Sequence, residues 1–332
     1  MMKNTKLTLT AALFLMAALI LTSCSGKENL PETITENEEL TRIFVNDKAF
    51  HTETFGNPVN PAVIIVHGGP GWDYKTLMPL ANLSDQFYVI FYNQSGCGLS
   101  PRYEASELSL SNALEDLHGM VEKYGKTQRV NLIGHGYGAM LVSAYLGQHP
   151  DRVAYAVLAE PFSLRPSVAD SGVISPMAIP DSKIIKSASS KDHNKSDFKY
   201  MNQLRSKENF PALGSCNPEN WYGQSILRPG ALAAKKITEE FYNPEKGFFV
   251  DFTVGNERFK NTVLLLFSEC NPYFNEESKK QLTDELNRAI YKTVPASGHF
   301  MFEDNPQSSV IFIRKYFNNP SMIRSNKTFS FN

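Results

Sequence analysis

Short continuous runs of apolar residues alternate with amphipathic segments along most of the chain. A short run of β-branched and aliphatic residues between turn signals is typical of a strand buried on both faces. In 110–124 the apolar positions recur with the 3.6-residue period of a helix. The alternation predicts a doubly wound, mostly parallel α/β sheet. The predicted strands are 62–66, 87–92, 129–133, 153–158, 262–267 and 291–294, and the predicted helices are 110–124, 139–146, 231–241 and 307–317.

The alternation stops between Pro161 and Glu245, where the chain becomes rich in serine, lysine, proline and asparagine. An insertion of about 85 residues is too long for a plain loop, so we expect an inserted, largely helical cap over 161–245. Ligands bind at the carboxyl ends of the strands in open α/β sheets, and the cap is expected above that edge. The predicted core is therefore 41–160 plus 246–317, followed by a tail at 318–332.

The N-terminus has the pattern of an export signal. Lys3 and Lys6 precede a mostly apolar run at 7–21. That run is shorter than the roughly 20 residues of a membrane-spanning helix and has the length of a signal-peptide core. It ends in LTSC at 21–24, which resembles a bacterial lipobox. The resemblance implies a signal peptide at 1–23 and lipid attachment at Cys24.

A lipidated Cys24 would anchor an exported protein to a membrane, because several acyl chains hold stably where one is marginal. Ser25 follows in place of the aspartate that retains lipoproteins at the inner membrane, so we expect the outer membrane or the cell surface. The polar segment up to Leu40 is interpreted as a flexible tether over 24–40.

Composition limits the partners and the cysteine chemistry. The chain has 33 Lys and Arg against 34 Asp and Glu, a formal net charge of −1, which argues against a nucleic-acid partner. No His or Cys spacing is typical of a metal site, and no Walker-type glycine loop occurs, so neither a metal nor a cofactor is expected. Cys97, Cys216 and Cys270 remain besides Cys24, an odd number that leaves at least one free thiol.

Four motifs follow predicted strands in a fixed order. They are HGGPG at 67–71, NQSGCGLS at 93–100, GHGYG at 134–138 and SGH at 297–299. Together they resemble the α/β-hydrolase superfamily, most closely its proline iminopeptidase-like branch, which carries HGGPG, DQRGxGxS and the nucleophile elbow G-x-S-x-G. The resemblance covers most of 42–317 and implies a hydrolase fold acting on peptides or esters.

The sequence departs from that pattern at the catalytic positions. Gly136 stands where the elbow has its serine, so no acyl-enzyme can form there. Asn271 stands at the family's acid position and Asn93 and Ser95 replace the Asp and Arg of the second loop, which leaves His299 as the remaining base. Asparagine can hold an imidazole but does not stabilise its protonated form as a carboxylate does.

Two carboxylates and two thiols stand at positions from which they could replace the missing acid and nucleophile. Glu160 and Glu269 also follow strand ends, and we interpret each as solvated or in contact with the cap. Cys97 and Cys270 are interpreted as buried, inert thiols. His51 has no partner spacing and is interpreted as a surface or helix residue.

The remaining frame is an oxyanion hole, formed by backbone N–H groups near Gly68 and Gly69 with that of Tyr137. The hypothesis is a catalytically impaired pseudo-hydrolase that binds a small carbonyl- or carboxylate-containing ligand, a peptide or a partner under the cap. The alternative is an active peptidase or esterase that uses His299 with a non-standard nucleophile or with water.

Overall fold

The computed structural model describes residues 30–167, 187–205, 216 and 225–318. Its centre is an eight-stranded sheet in the order β1-β2-β4-β3-β5-β6-β9-β10. β1 and β2 pair antiparallel, as do β2 and β4, and the remaining pairs are parallel. The strands are β1 Arg42–Val45, β2 Lys48–Phe55, β3 Ala62–Val66, β4 Tyr88–Tyr92, β5 Val130–His135, β6 Val153–Ala159, β7 Tyr242–Asn243, β8 Gly247–Phe248, β9 Val263–Ser268 and β10 Ala289–Val294.

Helices cover both faces of this sheet, as expected where parallel strands are joined by crossovers. The helices are α1 Leu110–Gly125, α2 Tyr137–Gln148, α3 His193–Arg205, α4 Ala231–Phe241, α5 Glu276–Asp284, α6 Met301–Asp304 and α7 Pro306–Asn318, with a longer 3-10 helix at Lys75–Leu83. One core cluster joins Ile64, Ile90 and Leu132 of the sheet to α1 and α2, and the other joins Val63, Ile65 and Ile133 to α7 and the 3-10 helix.

The predicted doubly wound sheet is confirmed, and the predicted strands agree with the observed ones to within two residues at each end. The hairpin β1–β2 was not predicted. It turns at Asn46 and Asp47, which both have positive φ (47° and 61°), the conformation of a tight hairpin turn. Its second strand pairs at the antiparallel side of the sheet and carries mixed polar residues, so it lacks the apolar run of a central strand.

The described part of the predicted cap at 161–245 contains α3, α4 and β7, and β7 pairs with β8 just beyond that range. Tyr200 and Leu204 of α3 and Ala231 and Ala234 of α4 pack into a cluster with Trp72 of the HGGPG loop. The cap residues at 168–186, 206–215 and 217–224 lie outside the described residues.

The predicted tether at 24–40 is wrong for residues 31–37. Thr33 and Ile34 are buried, and Ile34 N–H donates to Leu99 O (2.9 Å). An apolar side chain inserted at this point gains enough burial to hold the segment on the core. The predicted signal peptide at 1–23, Cys24 and the tail from 319 onward lie outside the described residues, and within the described part no helix is long and apolar enough to cross a membrane.

Candidate functional site

The sharp turn between β5 and α2 places Gly136 at the carboxyl edge of the sheet. Its φ is +57°, in the region that favours glycine, and its N–H donates to Ala159 O of β6 (2.9 Å). The flanking Gly138 is required by close packing, because a Cβ there would lie 2.1 Å from Val66 O. The backbone therefore has the strand-to-helix geometry of a nucleophile elbow.

The space beside Gly136 faces the imidazole of His299. A Cβ built on Gly136 would lie 3.7 Å from His299 Nε2 and 3.1 Å from Phe162 Cζ. The His299 ring is buried and stacks on Phe162, with ring centroids 5.9 Å apart. A hydroxyl one bond beyond that Cβ would reach Nε2, so the structure retains the base in register with the missing side chain.

The other imidazole nitrogen is held by a glutamate. His299 Nδ1 donates to Glu160 Oε2 (2.6 Å), since a carboxylate can only accept. Glu160 follows β6, is fully buried and has a positive φ of 44°. This corrects two sequence-based expectations: Glu160 is neither solvated nor a cap contact, and Asn271 does not partner the histidine.

Asn271 instead braces the glutamate, with its Nδ2 donating to Glu160 Oε2 (2.9 Å). Ser268 donates to Glu160 Oε1 through its backbone N–H (2.9 Å) and through its hydroxyl. Burial alone would raise the pKa of Glu160, but the hydrogen bonds from His299 and Ser268 lower it below the usual range. The buried carboxylate is thus held ionised by donors on both oxygens.

The sequence held a signal for this glutamate, because it directly follows a buried strand adjacent to β5. What the sequence lacked was the direction of the side chain, which the positive φ at Glu160 turns toward His299. The predicted second carboxylate, Glu269, accepts from Ala296 N–H (2.8 Å) at an exposed position, as expected for a solvated group.

The HGGPG loop lies beside the elbow. A Cβ on Gly68 would lie 2.7 Å from His135 O, so the loop and the elbow are in contact through backbone. Gly69 has a φ of +121°, and Tyr137 is the buried first residue of α2. The first N–H groups of a helix have no partner within it, which suits the predicted oxyanion frame.

Two further histidines support these turns. His67 Nε2 accepts from Gln94 N–H (3.0 Å), and Nδ1 donates to Gly68 O (3.0 Å). His135 Nε2 donates to His299 O (2.8 Å), which fixes the backbone of the base. Burial lowers the pKa of His67 to about 4 and that of His135, also beside His299, to about 3, so both are neutral structural residues.

The second loop is fully hydrogen-bonded despite its departures. Ser95 Oγ donates to Asp116 Oδ2 (2.6 Å), and Asn93 Nδ2 contacts His51 Nδ1 (3.2 Å). His51 is buried on β2 and its ring stacks on Tyr74, so the interpretation of a surface or helix residue is wrong. Ser95 therefore donates to a buried carboxylate, and the same carboxylate is paired with Lys48 Nζ (3.1 Å).

No described cysteine occupies the nucleophile position. Cys97 is buried and free, its Sγ donates to Ser95 O (3.5 Å), and burial raises the pKa of its thiol to about 12. Cys270, interpreted as a buried thiol, forms a disulfide with Cys216 of the cap, with Cα atoms 5.2 Å apart. Within the described residues no cluster of three His, Cys, Asp or Glu side chains could hold a metal ion.

Comparison with known proteins places these features in a family. The family model described as alpha/beta hydrolase fold matches residues 61–306. A proline iminopeptidase from Saccharolobus solfataricus is 27% identical over 266 residues, which cover 74% of this chain and 78% of that protein.

Solved structures with the same fold superpose over most of the chain. The enol-lactonase from Burkholderia xenovorans LB400 has a TM-score of 0.65 at 15% identity, covering 84% of this chain and 100% of that one. A proline iminopeptidase-related protein from Thermus thermophilus has a TM-score of 0.59 at 18% identity, covering 84% and 96%. At these identities the likeness shows the fold.

Proposed function

The chain belongs to the alpha/beta hydrolase fold family, and we propose that it is a proline iminopeptidase-like pseudo-hydrolase that binds a small carbonyl- or carboxylate-containing ligand without forming an acyl-enzyme. The observation that carries the proposal is Gly136 at an otherwise intact elbow. A glycine offers no hydroxyl to attack a carbonyl carbon, and the nearby thiols are buried or oxidised.

The ligand class follows from the groups that remain. Backbone N–H groups near Gly68, Gly69 and Tyr137 suit a carbonyl or carboxylate oxygen. The Cβ position of Gly136 lies 3.7 Å from His299 Nε2 and 3.1 Å from Phe162 Cζ, so a second ligand oxygen would contact the imidazole there once the Phe162 ring shifts. Phe162 and Trp72 lie against the imidazole with centroids 5.9 Å and 6.4 Å away, which suits an apolar ligand body.

Calorimetric titration tests binding, with L-proline and a prolyl dipeptide as probes because the S. solfataricus relative is a proline iminopeptidase. We expect saturable binding that is weakened at least tenfold in His299→Ala. The matched control is His118→Ala, which removes a half-buried imidazole on α1 that contacts Tyr145 OH and stacks on His149. Equal affinity in His299→Ala, or no binding of either probe, would contradict the proposal.

A fluorophosphonate probe tests the absence of an acyl-enzyme. Such probes label activated serines, and we expect no labelling of the native protein. Labelling that disappears in His299→Ala would show a recruited nucleophile and would overturn the pseudo-hydrolase assignment.

A second candidate function is hydrolysis by water activated at His299, and the intact Glu160–His299 pair favours it. A histidine oriented by a carboxylate is the usual general base of hydrolases, and its Nε2 lies 3.7 Å from the Cβ position of Gly136. Slow turnover of proline p-nitroanilide that is lost in Glu160→Gln would support this candidate. Turnover unchanged in that variant would exclude it.

We also propose that the protein is exported and anchored by lipid at Cys24. The proposal rests on the charged start, the apolar run and the LTSC sequence at 21–24. Metabolic labelling with a radioactive fatty acid is expected to mark the wild-type chain and not Cys24→Ala. Equal labelling of both chains would refute the anchor.

A further inference from the structure

Residues 31–36 form a compact turn that is braced internally. Thr33 donates to Glu36 Oε2 through its N–H (2.7 Å) and its hydroxyl (2.9 Å). Ile34 is 1% exposed, and its N–H donates to Leu99 O (2.9 Å) on the second loop. The turn therefore has a defined conformation and an apolar residue inserted into the body of the protein.

A buried arginine of the cap forms hydrogen bonds with this turn. Arg228 is 2% exposed, and its Nη1 donates to Pro31 O and to Glu36 Oε2 (3.0 Å). Its Nη2 donates to Asn194 Oδ1 (2.7 Å) on α3. One guanidinium thus joins residues 31–36 to two separate parts of the cap.

The charges around Arg228 balance only when Glu36 is present. Asp197 of α3 lies 3.8 Å from Arg228 Nε and accepts from Arg102 Nε (2.7 Å). Its other oxygen, Oδ1, accepts from Ala231 N–H (2.9 Å) at the start of α4. Two arginines therefore face Asp197 and Glu36, and loss of Glu36 leaves an excess positive charge in a mostly buried cluster.

The same cap segment is attached to the loop that borders the candidate site. The N–H groups of Leu227 and Arg228 donate to Asp73 Oδ2 (2.6 and 2.9 Å). The adjacent Trp72 donates from Nε1 to Tyr200 OH (3.2 Å) and lies edge-on to His299. Displacement of Arg228 would therefore shift Asp73 and the adjacent Trp72, which lies beside His299.

We propose that residues 31–36 are a latch that holds α3 and residues 225–241 of the cap against the loop after β3, and that withdrawal of the latch releases these cap elements and admits ligand to the candidate site. Pro31 and Glu36 are the two latch residues that accept hydrogen bonds from Arg228 of the cap. The gating of ligand rests on the proposed function, whereas the mechanical link between the latch and the cap does not.

Hydrogen exchange of the full-length chain tests the mechanical link. In Ile34→Ser and Glu36→Ala we expect exchange in α3 and in 225–241 to become about tenfold faster, with no change in β5 and α2. Glu38→Ala is the matched control, since Glu38 is an exposed glutamate two residues away. Unchanged exchange in both latch variants, or an equal increase throughout the chain, would overturn the proposal.

Rapid-mixing kinetics with L-proline then tests gating. The association rate is expected to rise severalfold in Glu36→Ala and to stay at the wild-type value in Glu38→Ala. If neither protein binds L-proline, the proposed ligand class fails while the exchange result still decides whether the latch holds the cap. Faster exchange with an unchanged association rate would show a latch that does not gate the site.

Discussion

Replacing Gly136 with serine should create a Ser-His-Glu triad in a single step. The Cβ of the new residue would lie 3.7 Å from His299 Nε2, so its hydroxyl can reach hydrogen-bond distance. Glu160 already holds Nδ1 of the same ring (2.6 Å). The oxyanion frame needs no change, and the elbow backbone already has the required turn.

The Gly136→Ser substitution lowers stability through backbone strain and through a close contact with Phe162. A non-glycine residue at a φ of +57° is strained by about 1–3 kcal/mol. The new Cβ would also approach Phe162 Cζ to 3.1 Å, so the ring must shift by a few tenths of an ångström. We expect the free energy of unfolding to fall by about 1–3 kcal/mol, and Phe162→Leu in the same chain to recover part of it.

Fluorophosphonate labelling measures the reactivity of the serine introduced at position 136. Gly136→Ser should be labelled, the further change His299→Ala should abolish labelling, and Glu160→Gln should slow it by about 10⁴-fold, as an Asp-to-Asn change does in a serine-protease triad. Adding Asn271→Asp should also slow it, because a carboxylate would replace a donor 2.9 Å from Glu160 Oε2.

The Asn271→Asp result separates the two possible acids. If Gly136→Ser is unreactive and only the double variant with Asn271→Asp is labelled, the acid position is Asn271 and the assignment to Glu160 is wrong. If a correctly folded Gly136→Ser is unreactive in every combination, the space at the elbow does not support a nucleophile, and the reasoning from its geometry is refuted.

Other outcomes follow from buried groups. Burial lowers the pKa of His51 and His67 to about 4 and that of His135 to about 3 from an ordinary 6.5, so the unfolded chain binds more protons between those values. The free energy of unfolding should therefore fall as pH drops from 6.5 toward 4, by on the order of 1–2 kcal/mol for each histidine at pH 5. Urea unfolding at pH 7.5 and at pH 5 measures this loss, and equal urea midpoints at the two pH values would contradict the prediction. In Cys24→Ala, a thiol reagent should find no reactive group in the folded chain and one, Cys97, after unfolding without reductant; two or more would show that Cys216 and Cys270 are not paired. Ser268→Ala removes a donor to buried Glu160 and should lower stability by about 1–3 kcal/mol in thermal unfolding, whereas Ser109→Ala, a helix cap outside the site, should cost about 1 kcal/mol.

The sheet was predictable because its central strands are continuous apolar runs, and Ala62–Val66 agrees with the prediction residue for residue. The elbow and the HGGPG loop were predictable for a different reason, since glycines at fixed positions indicate sharp turns with positive φ or close backbone packing. α5 was missed because its exposed face leaves few apolar positions in EESKKQLTD.

The partner of His299 could not be read from local sequence. Glu160 and Asn271 lie 111 residues apart and both point into the same buried network, where the longer side chain reaches the imidazole. A motif alignment assigns the acid to a loop by position along the chain. In the structure the acid is the carboxylate nearest to His299 Nδ1, and the loops after β6 and β9 both reach this part of the site.

With the carboxylate after β6, the elbow and the acid extend from neighbouring strands whose ends are paired, His135 opposite Ala159. The loop after β9 therefore does not contact the histidine through an acid. In this loop Cys270, next to Asn271, forms a disulfide with Cys216. The covalent tie to the cap and the amide that braces Glu160 occupy consecutive residues. A conformational change in this loop would therefore move both the crosslink to the cap and the hydrogen bond that holds Glu160.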